Sequence, residues 1–445
     1  MKNIHDVGII GAGISGLSIA YYLKKNGLKT CLFEKSDRSG GVIKSKNING
    51  FICEEGPNTI VLNNPSIKNL IEEINLSDDI IDSDESVKYK YFLHKNNIVP
   101  MPLSFNEFIL SPLLNFFSKV KIICGLFFIK DVKSKTIYNF FKNNFGEQFH
   151  DNIIEPFLNG IYAGNTKKIY FEYALPGLWG AIKKNRSLVC SMLFNNKSKK
   201  NKTISFTNGN VELINKLTLE NKNNINYLCE IEDINFKNKC FEIKTKSGEI
   251  FKCYKIVSTI AIDILIKALK YKPKYLTKEI NYNPIDVYHI SFNSDESHKI
   301  PKGFGILSKK SEKKSFLGIL FSSFIFPSST PAGKEMLTVL SGGAKNKNIL
   351  KKDINYMSNI TKDEIKDLLK INSLEIINKK RWFNAIPSYG KEIKNIRLEI
   401  KNIEKKFKGL HVIGNYYNGV SVSSCVEIAK KKSEKIIKNG NQNRK

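Results

Sequence analysis

The N-terminal segment constrains the fold more than any other part of the chain. Val7, Gly8, Ile9 and Ile10 form a short apolar run with β-branched side chains, read as a buried parallel strand. Gly11, Ala12, Gly13, Ile14, Ser15 and Gly16 follow at once, and residues 17–25 then space Leu17, Ala20, Tyr21 and Leu23 as a helix does. Thr30, Cys31, Leu32 and Phe33 make a second strand that ends at Glu34. Strand, G-x-G-x-x-G, helix, strand, acid is the order a dinucleotide-binding turn needs. Gly11 permits the tight turn, Gly13 lets a pyrophosphate touch the backbone, and Gly16 lets the helix pack close to the strand. The helix N-terminus offers free N–H groups and the positive end of its dipole to the phosphates. Glu34 stands 18 residues after Gly16, where a carboxylate accepts ribose hydroxyls.

Nicotinamide and flavin dinucleotides share that turn, so later segments must separate them. Arg38-Ser39-Gly40-Gly41-Val42 brings a second glycine pair just after the acid. Glu54-Glu55-Gly56-Pro57-Asn58-Thr59 carries a strand into a Gly-Pro turn. Near the other end, residues 409–415 read as a strand running into Gly414, and Gly419-Val420-Ser421-Val422 precedes a helix over 424–432. This succession resembles the flavoprotein amine-oxidase superfamily. The resemblance implies FAD, extended and buried, rather than NAD. It implies cofactor contacts from the first glycine turn (Gly11, Ala12, Gly13, Ile14, Ser15, Gly16), from Glu34, Lys35, Arg38, Gly41 and Val42, and from Gly56, Pro57, Asn58 and Thr59. Ile231, Trp382, Gly414, Val420, Ser421 and Val422 complete the implied set. The last strand–helix turn would then bring a helix N-terminus to the flavin ring, where the reduced form carries negative charge.

The 445 residues give a prior of about three structural units. Apolar residues make up 41% and charged residues 25%, which excludes a disordered chain, a collagen-like fibre or a disulfide-stapled module. The net charge is +29, but arginine supplies only five of the 71 basic residues. Lys, Asn and Ile are abundant together and share A/T-rich codons, so codon drift explains the charge, and nucleic acid, usually gripped through arginine forks, is not expected as a partner. Eight cysteines and six histidines are scattered without zinc-site spacing, so no metal centre is expected and a reducing compartment is. The chain enters its first strand almost at once, leaving no room for a leader, which points to the cytoplasm of a bacterium. No run of 18 uninterrupted apolar residues appears; residues 105–129 come nearest, broken by Glu107, Lys119 and Lys121.

The expected fold class is α/β, α+β overall. A Rossmann-type FAD-binding domain, discontinuous in sequence (1–86, 203–265 and 396–437), accompanies a mixed-sheet substrate domain (87–102 and 266–395). Residues 103–202 form a helical, membrane-associated region and 438–445 a solvated tail. Residues 195–202 read as a surface loop, residues 225–258 as the strands of a small sheet, and residues 285–343 as a second sheet. Residues 360–369 read as an amphipathic helix.

Four segments carry a narrower resemblance, covering about residues 7 to 435. They are Glu155-Pro156 with Gly160-Ile161-Tyr162-Ala163-Gly164-Asn165; Gly303-Phe304-Gly305-Ile306-Leu307; Leu317-Gly318 through Phe326-Pro327 with Thr338-Val339-Leu340-Ser341-Gly342-Gly343; and Trp382 with Ala385-Ile386-Pro387-Ser388-Tyr389. Their order and spacing resemble the oxygen-using, FAD-dependent protoporphyrinogen and coproporphyrinogen III oxidase family. The resemblance implies a three-step, six-electron oxidation of a porphyrinogen, with molecular oxygen as acceptor and hydrogen peroxide as product. The flavin carries that chemistry, so no catalytic side chain is expected. It implies that Gly160, Ala163, Phe304, Leu307 and Leu340 hold the apolar macrocycle. Where the family usually has an arginine for a propionate, this chain has Lys90, which keeps the charge but loses the bidentate fork. Phe116, Val120, Ile123, Leu126 and Phe127 are expected to share one face of a surface helix that meets a membrane, or else to be buried. Coproporphyrinogen III is the alternative substrate. A different flavin oxidase and a non-enzymatic scaffold stand further off, and a homodimer remains open.

Overall fold

The computed structural model describes residues 4–189, 201–276, 280–344 and 346–442. Within them the strands are β1 (His5–Ile10), β2 (Thr30–Phe33), β3 (Ser45–Ile48), β4 (Phe51–Glu54), β5 (Ile60–Leu62), β6 (Ile80–Asp82), β7 (Lys90–His94), β8 (Asn97–Pro100) and β9 (Lys202–Phe206). They continue as β10 (Ile225–Asn226), β11 (Ile231–Lys237), β12 (Cys240–Thr245), β13 (Ile250–Ser258), β14 (Tyr282–Asn293), β15 (Gly305–Leu307), β16 (Phe316–Leu320), β17 (Lys334–Gly342), β18 (Glu375–Pro387) and β19 (Leu410–Val412). Six helices matter for the site: α1 (Ile14–Lys25), α2 (Phe105–Leu110), α3 (Phe116–Phe127), α4 (Glu155–Tyr162), α5 (Ile354–Leu369) and α6 (Val422–Gln442).

The first sheet has the order β10-β2-β1-β13-β12-β11, with β19 also on β13. β1 is central, parallel to β2 on one side and to β13 on the other, and its last four residues are buried. Residues 225–258 therefore do not form a separate small sheet. Ile256, Val257 and Ser258, all buried, close β13 as a central strand. The alternating residues before them hide this short run in the sequence. α1 and α6 share one core, with Leu17, Ile19, Ala20 and Leu23 clustered with Val426, Ala429 and Ile436.

The second sheet has the order β18-β14-β17-β16-β15-β7-β8. β14 is buried along nearly its whole length, so both faces are covered. The buried Asp286 within it accepts a two-pronged pair of hydrogen bonds from Arg381 of β18, at 2.8 and 2.7 Å. α5 lies against this sheet and begins six residues before the segment expected from its spacing, where Asp353 caps the amides of Asn355 and Tyr356.

Residues 105–129 divide into α2 and α3, each opened by a side-chain cap: Ser104 on the amide of Glu107, Asn115 on the amide of Ser118. The expected face of α3 is only partly right. Phe116, Val120 and Phe127 are exposed, but Ile123 and Leu126 are half-buried, and Ile122 and Gly125 turn inward. Gly125 fixes that rotation, because a Cβ there would lie 2.6 Å from the carbonyl oxygen of Asn144. Among the described residues no helix is long and apolar enough to cross a membrane. α6 runs on through residues read as a tail, since Ile436 is buried beneath its lysine-rich surface. Most of the 195–202 loop lies outside the described residues.

Candidate functional site

The first glycine turn shows a division of labour. Gly11 has φ +96°, and a Cβ there would meet Thr259 Oγ1 at 2.6 Å. A Cβ on Gly16 would lie 1.9 Å from the Gly11 carbonyl oxygen, so the helix packs on the turn only because none is present. Gly13, at the N-cap of α1, faces open space with nothing within 4 Å of its would-be Cβ. The unpaired N–H groups of the first helical turn open onto that same space.

A second loop closes over the first. The amide of Gly40 donates to the carbonyl of Ala12 at 2.8 Å, and a Cβ on Gly41 would lie 3.7 Å from Gly13 Cα. Arg38 folds back on this loop, donating to the carbonyls of Ser39, Gly41 and Ile43, and so shapes it. Lys35 and Val42 are exposed at its rim. Glu34, buried, accepts the amides of Ala12 and Ser36 at 2.9 and 3.0 Å. Its carboxylate is thereby fixed beside the glycine turn with lone pairs to spare. Just before Ile231, the Cys229 amide donates to the Glu34 carbonyl at 2.8 Å. Tyr227, which the sequence did not single out, hydrogen-bonds Ser39 at 2.8 Å across the same loop.

The Gly-Pro turn joins this cradle. A Cβ on Gly56 would lie 1.9 Å from the Val42 carbonyl oxygen. Asn210 donates to the Pro57 carbonyl at 2.8 Å, while Asn58 and Thr59 are half-buried beyond it. Trp382 reaches in from β18 and donates its indole N–H to the Glu55 carbonyl at 2.6 Å. The two neighbouring carboxyls part company here. Burial pushes Glu54 up to about 8. Burial raises Glu55 too, but Lys46, Asn378 and Lys44 outweigh it and hold it below the usual carboxylate range.

From the C-terminal end, the Ile413 amide donates to the Ser258 carbonyl at 3.0 Å and brings Gly414 to the same edge of the first sheet. Ser421 caps α6 through the amide of Ser424 at 3.1 Å, with Val420 and Val422 on either side. Ser15 of α1 lies beside Cys425 of α6. Two helix N-termini thus stand side by side at one opening, and their dipoles reinforce one another there.

The expected substrate residues converge on the second sheet. Cross-strand register pairs Leu307 with Gly318 and Gly318 with Leu340. The glycine lets the Leu307 side chain lean over it, on one face of three adjacent strands: a Cβ on Gly318 would stand 3.2 Å from Leu307 Cδ2. α4 lies across that face, and a Cβ on Gly160 would meet Leu307 Cδ2 at 2.9 Å. Ala163 ends α4 in the left-handed conformation, φ +45°, and its carbonyl accepts the Ala344 amide at 2.7 Å, anchoring the Gly342–Gly343 turn. Lys90 pairs with Gly305 in parallel register, and its Nζ lies 5.5 Å from the Phe304 ring and 5.6 Å from the Phe157 ring. Burial lowers its ammonium pKa. Gly318 and Phe157 were not foreseen as site residues, although Gly318 lies inside a quoted segment; its role appears only once the register is known.

One group of side chains has the composition of a metal site: His150, Asp151 and Glu155, with ligand atoms within 4.8 Å of one another. Both ring nitrogens of His150 are already engaged, by Asp151 at 2.6 Å and Thr166 at 2.9 Å.

The family model for flavin-containing amine oxidoreductases matches residues 14–437. The chain is 26% identical to protoporphyrinogen oxidase 2, chloroplastic/mitochondrial, of Arabidopsis thaliana, covering 97% of this chain and 93% of that protein. It is 22% identical to coproporphyrinogen III oxidase of Bacillus subtilis, covering 95% and 96%. A crystal structure from Exiguobacterium sp. 255-15, described as a candidate protoporphyrinogen oxidase, superposes with a TM-score of 0.85 at 20% identity, covering 98% and 99%. The open space before Gly13, the second glycine loop across it and the buried acid beside it fit a dinucleotide, and a flavin bound as a dinucleotide is FAD. The chain belongs to the flavin-containing amine oxidoreductase family.

Proposed function

We propose that the protein oxidises protoporphyrinogen IX to protoporphyrin IX, a step of porphyrin biosynthesis, with molecular oxygen as acceptor. The observation that carries this reading is the leucine–glycine–leucine row of Leu307, Gly318 and Leu340, faced by Gly160 and bounded by Lys90. Such a slot suits a broad apolar ring, and the lysine suits a carboxylate tail. FAD supplies the redox chemistry, taking hydride equivalents from carbon and passing electrons to oxygen. Overall, one porphyrinogen loses six electrons and six protons, and three oxygen molecules become three hydrogen peroxide molecules. The chain's own part is to orient the ring, exclude water from it and hold Trp382 and the Gly56–Thr59 turn against the cofactor.

The cofactor part comprises residues 1–86, 203–265 and 396–437, and the substrate part 87–102 and 266–395. The strands of the two large sheets divide along these ranges. α2 and α3 form a peripheral membrane face. Phe116, Phe117 and Leu110 are 74%, 81% and 82% exposed, and Phe105, Phe127 and Phe128 extend the patch. Exposed aromatic groups on a chain of net charge +29 favour an anionic lipid surface, from which an apolar substrate is drawn.

The test is a paired assay on the purified yellow protein. Porphyrin fluorescence is followed from protoporphyrinogen IX and coproporphyrinogen III separately, with peroxide measured alongside. Preference for the first with peroxide formed supports the proposal. Preference for the second moves the enzyme to the four-carboxylate substrate named for the Bacillus relative. Activity on neither, with FAD bound, overturns it.

A further inference from the structure

Tyr389 is fully buried at a junction of three parts of the molecule. Its hydroxyl donates to the Asn415 carbonyl and accepts the Gly419 amide at 2.9 Å, so one oxygen spans both ends of the 415–419 segment. Gly419 has φ +126°, and its carbonyl accepts the Cys425 thiol at 3.8 Å. Cys425 in turn lies beside Ser15 of the dinucleotide turn. On its other sides, the Tyr389 carbonyl accepts the Tyr170 amide at 2.8 Å, and its ring lies 5.5 Å, centroid to centroid, from Tyr162 of α4. Tyr162 sits between Gly160 and Ala163 in sequence.

We infer that Tyr389 is a positioning residue for the flavin: its hydroxyl fixes the turn between β19 and α6, and its ring ties that turn to the helix that walls the substrate slot. The inference rests on the proposed placement of the 414–422 turn at the cofactor. A benzene ring would fill the same volume, so the two hydrogen bonds are separable from the packing. Loss of two such hydrogen bonds corresponds to a change of about tenfold or more in an equilibrium constant.

The experiment compares Tyr389→Phe with wild-type holoenzyme. FAD release after dilution is followed by flavin fluorescence, the bound flavin by visible circular dichroism, and turnover by steady-state kinetics. The expected result is FAD release faster by about tenfold, an altered flavin dichroism band, and a fall in kcat with KM within about twofold. Tyr288→Phe serves as a control for stability alone, because Tyr288 donates to Asp286 at 2.9 Å in the core of the second sheet. It should lower Tm and leave FAD release unchanged; if it speeds release equally, the positioning role is overturned. Release and dichroism unchanged in Tyr389→Phe overturn it as well. Gly419→Ala attacks the same bond from the other side, since its Cβ would meet Ser424 Cβ at 2.9 Å, and it decides the matter should Tyr389→Phe not fold. If Gly419→Ala speeds release and Tyr389→Phe does not, only the role of Tyr389 falls. If neither does, the placement of the turn at the cofactor falls with it.

Discussion

Gly160 of α4 and Leu307 of β15 approach so closely that a Cβ on the glycine would stand 2.9 Å from Leu307 Cδ2. The obstacle is the far end of a flexible side chain, so Gly160→Ala should fold. Alanine also favours the helix by ~1 kcal/mol over glycine. Leu307 must then swing toward the slot. The expected outcome is a Tm equal to or above wild type with kcat/KM for the porphyrinogen reduced about tenfold, read by thermal melts and fluorescence kinetics on the same preparation. A full retention of kcat/KM would remove Gly160 from the slot wall.

Gly13 and Gly16 should answer substitution in opposite ways. Gly13→Val points its side chain into open space, so the fold survives while the pyrophosphate position is blocked. The purified protein should keep its far-ultraviolet dichroism and lose its flavin, a loss of ~100-fold or more in FAD affinity, ~3 kcal/mol. Gly16→Ala drives a Cβ to within 1.9 Å of the Gly11 carbonyl oxygen and should cost soluble expression itself.

Lys90 lies against two aromatic rings and has no carboxylate partner among the described residues. If its ammonium meets a substrate carboxylate, Lys90→Ala should raise KM about tenfold with a smaller change in kcat, and Lys90→Arg should restore most of the loss. An unchanged KM in the alanine variant would return Lys90 to a purely structural part.

His289 makes stability depend on acidity. It is completely buried, its Nε2 donates to the Glu54 carbonyl at 3.1 Å, and burial lowers its pKa from 6.5 to about 4. The unfolded chain therefore binds a proton between pH 6.5 and 4 that the native state refuses. Stability from this group is complete above pH 6.5 and is lost as pH falls toward 4, by ~3 kcal/mol. Glu54, raised to about 8, shifts stability the opposite way over the same range, so the drop is read as the difference between wild type and His289→Gln in urea titrations at pH 7 and pH 4.5.

The apolar face of α3 can be tested without touching the core. Phe116→Asp with Phe117→Asp changes side chains that are 74% and 81% exposed, so Tm should move little. Sedimentation with anionic lipid vesicles should fall at least tenfold. Equal sedimentation of variant and wild type would sink the membrane reading.

The contiguous parts of the site were the legible ones. The turn at Gly11–Gly16, the acid at Glu34 and the loops at Gly40 and Gly56 each announce themselves within a few residues, because backbone geometry dictates their glycines. What crosses the chain was not legible. Nothing local says that Lys90 pairs with Gly305, or that Gly318 stands between Leu307 and Leu340, since register is a property of the assembled sheet. The rotation of α3 was misjudged because Gly125, which sets it, carries no hydrophobic signal. The last turns of α6 read as a tail in the sequence because lysines outnumber the buried Ser433 and Ile436 that precede them.

The first sheet has a consequence for how the protein is made. β1 is made long before one of its two partners, β13, which lies some 250 residues downstream, and β19 adds to β13 only after residue 410. Pairings of such separation are slow to form and leave strand edges open while they wait. During synthesis the glycine turn therefore waits with β2 on one side of β1 and nothing on the other. It becomes a cofactor cradle only once β13 and β19 are in place, and free FAD arriving then is the ligand best placed to trap the assembled sheet.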